Sequence, residues 1–447
     1  MINKYKILLS PGKYSPPNSF ISIGLLAVCV ALPVLLATYV YSPTVALITI
    51  GVVISLVGLI FFFDVRNFAI YIFPLIFFNT DHRLIFALVL LFFISFLAGR
   101  LQAGKLSISI VYPIVIGLIV LSGLWGVTNA YEVSEAQYLF RFNLLFPILV
   151  FVILFNLEPS NRSIEKTMRV ICTFAALIGW ASLIRYLIIG YTRVILGWVN
   201  FNPAGCFFGM ILPFAIMSVL YEKNVGKKVR NWIILLGIFA GIFVTQSRAA
   251  YLTSFITMGI FAWKDRQVFK VMMPVFIAGA LILPSLILYR LMMTFGMTST
   301  PDWSSVGRVQ IWLNSFELLP RYWLFGMGID SYRYIYPINF PGSIVRAEHA
   351  HNVYLRWWFE YGLIGISAYF YLIIAVFIRA FKRVVEMRKE NWNADDRLLL
   401  SLNIGFIASL AASMVDSPFH HPQVIILFWM FLAYQILLVR RSGKANE

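Results

Sequence analysis

Apolar runs follow one another along nearly the whole chain, separated by short polar or charged links. A bilayer core about 30 Å thick needs about 20 helical residues to cross it. Runs of that order lie at 20–40, 44–63, 67–79, 84–99, 106–126, 138–157, 170–189, 205–221, 231–247, 249–263, 271–289, 353–379, 398–415 and 424–439. The run 67–79 is short, so 67–99 is either two spans or one re-entrant or tilted element. The pattern predicts an all-α, polytopic integral membrane protein with about 12–14 transmembrane helices. Phe20–Val40 is expected to be a retained first span, because Pro11, Pro16 and Pro17 interrupt the basic start and no small-residue cleavage site follows.

Only residues 290–352 form a long hydrophilic stretch, punctuated by Pro301, Pro320, Pro337 and Pro341 and carrying Trp303, Trp312 and Trp323. Three regions are therefore expected: a transmembrane helical region at 1–289, one long outer loop at 290–352, and C-terminal transmembrane helices at 353–447. Loops of that length are more often functional than passive, although a partly helical cap has the same signature.

Composition excludes a soluble domain: 60% of residues are hydrophobic and 12% charged, against about 25% charged in an average soluble chain. The net charge of +17 does not mark a nucleic-acid binder, since the basic residues sit in short links and form no stripe with exposed aromatics. They gather in alternate links: Lys4/Lys6/Lys13, Arg100/Lys105, Arg162/Lys166/Arg169, Lys223/Lys227/Lys228/Arg230, Lys264/Arg266/Lys270, Lys382/Arg383/Arg388/Lys389/Arg397 and Arg440/Arg441/Lys444. That set is assigned to the cytoplasm with both termini, which puts 290–352 on the opposite face. Cys29, Cys172 and Cys206 lie in apolar runs without paired spacing, so neither a disulfide framework nor a metal knuckle is expected.

Ionisable residues at membrane depth are a functional hypothesis by default. Arg141, Arg185 and Arg356 lie within expected spans, where the alternative is snorkelling to headgroups or pairing with a helix carbonyl. Arg248 stands at the junction of two runs, suited to grip phosphate oxygens with its planar fork. In the outer stretch, Gly307-Arg308 and Gly326-Met327-Gly328 allow close approach to a ligand or serve as plain turns. The stretch ends in Glu348-His349-Ala350-His351-Asn352, where a histidine could act as general base and Asn352 could simply cap the next helix.

Asp416-Ser417-Pro418-Phe419-His420-His421 reads as an interfacial turn or as a contributor to the same mouth. A metal site from His349, His351, His420 and His421 is disfavoured, since no HExxH helix or CxxC occurs and the carboxylates weighed with it, Asp395 and Asp396, fall on the cytoplasmic side. No nucleotide-binding glycine loop is present.

Taken together, His351-Asn352 followed by Gly362 and Gly365 with Glu360 between them, the Ser247-Arg248 step, and Gly307-Arg308 with Trp312, Gly326 and Gly328 resemble the O-antigen ligase and Wzy-type polymerase superfamily of bacterial membrane glycosyltransferases. The resemblance covers roughly residues 240–370. It implies a GT-C-like frame in the bacterial inner membrane and a periplasmic active site. The implied reaction is metal-independent and inverting, moving a glycan from undecaprenyl diphosphate to an acceptor hydroxyl without a cofactor. The implied partners are that lipid-linked glycan, a lipid A-core or glycan acceptor, and membrane lipids, with no nucleic acid. It implies Arg248 and Arg308 as diphosphate ligands and His351 as the catalytic base, with His349, Asn352, Glu360, Gly362, Gly365 and Asp416 in support. A ligase is favoured over a polymerase because no second large outer domain is expected. A transporter of lipid-linked glycan is the alternative of another class, which would place polar groups at the bilayer midplane.

Overall fold

The computed structural model describes residues 72–77, 82–102, 108–189, 195–196, 198, 200–265, 267–268, 273, 303–343, 347–387 and 392–444. Apart from turns, these residues are helical, with no strand among them. In chain order the helices are α1 His82–Gln102, α2 Pro113–Thr128, α3 Val133–Leu157, α4 Asn161–Ile189, α5 Phe201–Leu220 and α6 Val225–Thr245. They continue with α7 Arg248–Lys264, α8 Trp303–Tyr322, α9 Tyr332–Asn339, α10 Val353–Glu386, α11 Ala394–Ala412 and α12 Pro422–Lys444. A 3-10 turn, Pro418–His420, joins the last two.

Six of these, α3, α4, α5, α6, α10 and α12, are long and apolar enough to cross a membrane, and α1 and α2 contain shorter apolar stretches. The protein is a polytopic helical membrane protein. The expected runs 20–40, 44–63 and 271–289 lie outside the described residues. The run 67–79 appears as a helix at 72–77, ahead of the separate α1.

Helices α5 and α12 form the middle of the bundle: 89% of the apolar window of each is buried. Helix α5 packs against α6, α7 and α11, while α3 packs on α12 and α2 on α10. By contrast α4 is 39% buried over its apolar window and turns Leu177, Leu187 and Ile188 outward, as a lipid-facing helix does. Its inner face crosses α6 at Gly179 and Gly237, where a Cβ on either would run into the other helix's carbonyl oxygens. Such small-residue crossings replace the hydrophobic drive that lipid cannot supply.

In α3 the backbone widens into a π turn at Arg141–Leu145, with Phe146 N–H bonded to the Arg141 carbonyl. Pro147 follows directly and has no N–H to continue an α-helical ladder. The segment expected as an irregular outer loop is in part helical, supplying α8 and α9. It has its own small core, in which Ile311, Leu318, Tyr332 and Tyr336 pack on Ala350, Leu355 and Phe359. Buried Asn314 and Ser315 of α8 are satisfied by the Tyr336 and Tyr332 hydroxyls at 2.8 Å each.

Candidate active site

Three segments distant in sequence meet at one end of the bundle. Asn352 caps α10, its Oδ1 accepting from the N–H groups of Tyr354 and Leu355 at 2.9 and 3.1 Å. The same amide donates to the Met414 carbonyl at 2.9 Å, and Val353 N–H donates to Ser413 O at 2.9 Å. These bonds fix the 349–352 segment against the 413–417 turn. From α8, the Trp312 indole donates to Ala350 O at 2.9 Å. Arg308 lies one helical turn before Trp312 on the same face, and so reaches the same place.

There Asp416 stands between a cation and an imidazole. Arg308 approaches its Oδ2 at 3.8 Å and His351 Nδ1 its Oδ1 at 3.6 Å, with the Asp416 side chain 9% exposed. Both approaches are longer than a hydrogen bond, and His351 Nδ1 and Asp416 Oδ2 are buried without a hydrogen-bond partner in the protein. Unpaired buried polar atoms are rare and recur at catalytic sites. Burial favours the neutral Asp416 carboxyl, but the adjacent His351 and Arg308 outweigh it and hold the group below the usual carboxylate range. His351 also sits in the left-handed region, φ 47°, uncommon for a residue other than glycine.

The His349 ring lies 4.2 Å from that of His351, centroid to centroid. Burial, reinforced by the charges of Arg356 and His351, holds His349 well below the ordinary histidine value. His420 is lowered likewise, by burial first and then by Arg356, and it meets Asn143 of the π turn at 3.3 Å. His349, His351 and Asp416 present donor atoms within 4.8 Å of one another, a set able to hold a divalent cation. This corrects the expectation from sequence that the nearest carboxylates would be Asp395 and Asp396: Asp416 is the one beside the histidines. Arg308 beside Asp416 and Arg356 acting on His349 supply positive charge around the set, which favours an anion over a cation.

Behind the imidazoles lies a buried ionic network. Arg356 Nε donates to Glu360 at 2.8 Å and its Nη2 to Asp330 at 3.2 Å, all three side chains being under 10% exposed. Arg333 pairs with the other Asp330 oxygen at 2.6 Å. Burial raises the Asp330 carboxyl to about 6 against the pull of Arg356. Glycines bring the backbones together around this network. Gly362 has φ 65°, and a Cβ there would strike the Leu324 carbonyl oxygen. Gly326, at φ 74°, lies against Phe359 O and Gly362 N. Met327 N–H donates to Phe359 O at 2.6 Å and Leu363 N–H to Leu324 O at 3.0 Å. Gly365 lies where a Cβ would press on Ser122 of α2.

The residues expected at the site thus separate into groups. Arg308, His349, His351 and Asp416 converge. Asn352, Glu360, Gly362 and Gly365 hold the frame. Gly307 lies inside α8 rather than in a turn. Arg248 opens α7 after Ser247, whose Oγ accepts from Ala250 N–H at 3.4 Å. That junction packs on Gly205, and the neighbouring Cys206 is within electrostatic reach of Asp416.

Of the arginines expected within spans, Arg356 is buried and paired, whereas Arg141 and Arg185 are exposed on the outside of the bundle. Arg141 donates to the Gln137 carbonyl at 3.1 Å. Sequence reasoning passed over Asn143, Asp330 and Arg333. Their only signal was polarity: one asparagine within an apolar run, and one charge pair in a glycine-rich turn.

Residues 233–370 match the family described as Wzy_C, O-antigen ligase. That range holds Arg248, Arg308 and His351, while Asp416 lies beyond it. No curated protein matches the chain at a significant level.

Proposed function

We propose that the chain, whose residues 233–370 match the O-antigen ligase family, transfers a glycan from undecaprenyl diphosphate to a hydroxyl of lipid A-core. The reaction takes place on the periplasmic face of the bacterial inner membrane. The observation that carries this reading is the convergence of Arg308, His351 and Asp416 at the end of the bundle away from the clustered basic residues. By the positive-inside rule that end faces outward, and both termini are cytoplasmic.

The acceptor oxygen attacks the anomeric carbon while the bond to the carrier diphosphate breaks, and the electron pair leaves with the diphosphate. Arg308, together with Arg248 at the start of α7, neutralises the charge that develops on the phosphate oxygens. His351 takes the acceptor proton, and Asp416 holds and charge-balances the imidazole. Attack from the face opposite the leaving group inverts the anomeric centre. No metal enters, and the donor's phosphoester bond supplies the driving energy.

The test is a lipopolysaccharide profile of a deletion strain, complemented by variants. Loss of a ligase leaves bare core and accumulated lipid-linked polymer; core bearing a single repeat unit would make the protein a polymerase instead. With purified protein, His351→Ala should abolish transfer, and Arg308→Lys should lose about 10²- to 10³-fold, nearly as much as Arg308→Ala. Chelator should leave the rate unchanged. Loss on chelation that zinc restores would reassign His349, His351 and Asp416 as metal ligands. Carrier translocation without product would mean a transporter.

A further inference from the structure

At the far end of the bundle lies a half-open cavity of about 410 Å³ whose walls include Ser109, Phe155, Val376, Arg379, Gln435 and Arg440. Helix α12 leaves the His420 turn at Pro422 and reaches the cavity at Gln435 to Arg440. At 1.5 Å per residue, Arg440 is about 27 Å along α12 from Pro422, so this is a site separate from the catalytic one.

Three features give the cavity a chemistry. An Arg379 guanidinium N–H donates to the Tyr112 hydroxyl, and the guanidinium lies over that ring at 5.5 Å, so the fork is held in place where Arg379 lines the cavity. Arg440 pairs with Glu158 at 3.2 Å, both about half exposed, so the two arginines and one carboxylate leave a net charge of one. Gln435 is fully buried, and neither its oxygen nor its nitrogen has a hydrogen-bond partner. In an otherwise apolar stretch of α12, such an amide is costly unless something polar occupies the space beside it. Apart from Ser109, the rest of the lining is apolar.

We propose that this cavity binds one anionic phospholipid, its phosphodiester held by Arg379, Arg440 and the Gln435 amide and the start of an acyl chain lying on Phe155 and Val376. A phosphodiester carries the single negative charge that the cavity balances, whereas a carrier diphosphate carries more. Basic clefts between spans at the positively charged membrane face are suited to such headgroups. The proposal does not depend on the glycosyl-transfer reading, and its test does not measure transfer.

The experiment is native mass spectrometry of the purified full chain, with melting curves in nanodiscs of phosphatidylglycerol or of phosphatidylcholine. Wild-type protein should retain one phosphatidylglycerol through detergent washing and melt higher in phosphatidylglycerol than in phosphatidylcholine. Arg379→Gln and Gln435→Met should weaken retention about tenfold or more, as expected for loss of a charge-assisted or buried contact. Arg379→Lys, which keeps the charge, serves as the folded control and should retain more than Arg379→Gln. Equal retention by wild type and both weakening variants would overturn the proposal. So would equal melting in the two lipids, or a melting shift reproduced by millimolar inorganic phosphate alone.

Discussion

The two ends of the bundle handle charge in opposite ways. At the end that carries the candidate site, Arg356 pairs with both Asp330 and Glu360, all three buried, and His349, His351 and Asp416 crowd a site with unpaired polar atoms. At the other end the ion pairs are more open to water: Arg169 with Glu165 at 41% and 38% exposed, Arg440 with Glu158 at 52% and 57%, and Arg383 with Asp396 at 28% and 13%. Exposed pairs exchange one hydrated arrangement for another, so position there matters more than partnership. Buried ions have no such alternative, and each depends on its neighbours. The basic end therefore tolerates a change of partner, and the candidate-site end depends on geometry.

That contrast is open to direct attack. Arg356→Met should produce the largest loss, about 3–5 kcal/mol, because Glu360 and Asp330 stay buried with less counter-charge. The melting temperature in detergent checks it, and adding Glu360→Met should restore part of the loss, since an apolar pair removes the stranded charge.

A pH series sharpens the comparison within the candidate-site end. Asp330 is raised to about 6, so the folded state holds its proton more tightly than the unfolded chain does. Its contribution to stability is complete below the ordinary carboxylate range and is lost as pH rises through about 6, a change of about 3 kcal/mol. Asp416 is shifted the other way, so its contribution is present at neutral pH and is lost as pH falls through its depressed value. His349 and His420, held below the ordinary histidine value, lose stability over the same range as pH falls through about 6.5. The Asp330 contribution is therefore read as the difference between wild type and Asp330→Asn, which should shift in favour of wild type on acidification from pH 7.5 to 4.5.

Gly362→Ala should cost about 2 kcal/mol through its positive φ, with more from the collision with the Leu324 carbonyl. It should lower transfer as well, because the non-helical backbone at Gly362 (φ 65°, ψ −173°) kinks α10 and sets where its first turns lie. At the basic end, Glu165→Gln should change stability by less than about 0.5 kcal/mol. A loss there as large as that of Arg356→Met would erase the distinction between the ends.

Most of the spanning helices were legible in the sequence because lipid imposes one requirement at every position along a span, and a linear window captures it. Boundaries moved where a local device intervened. Helix α3 begins at Val133, ahead of the apolar run, through an amphipathic first turn and a π turn that no periodicity announces. Helix α8 was hidden for the opposite reason. Its buried positions, Ile311, Asn314, Ser315 and Leu318, have helical spacing, but two of them are polar and depend in part on tyrosines of α9 for their hydrogen bonds.

At the candidate site, the histidines and Arg308 stood out by residue type and motif. Asp416 stood out less, because nothing local in a short turn tells whether it will face an imidazole.

The amino-acid order alone determined that this chain is helical and membrane-embedded, which links carry the positive charge, and which residue types are available for phosphate binding and proton transfer. Those properties depend on each residue's exchange with lipid or water, and they are additive along the chain. Tertiary structure decided the rest: that Arg356 is an internal brace rather than a snorkelling cation, and that Asp416 stands between Arg308 and His351. It also decided that Gly326 and Gly362 are points of backbone contact. Each depends on residues brought together from distant parts of the chain, and no window along the sequence contains them.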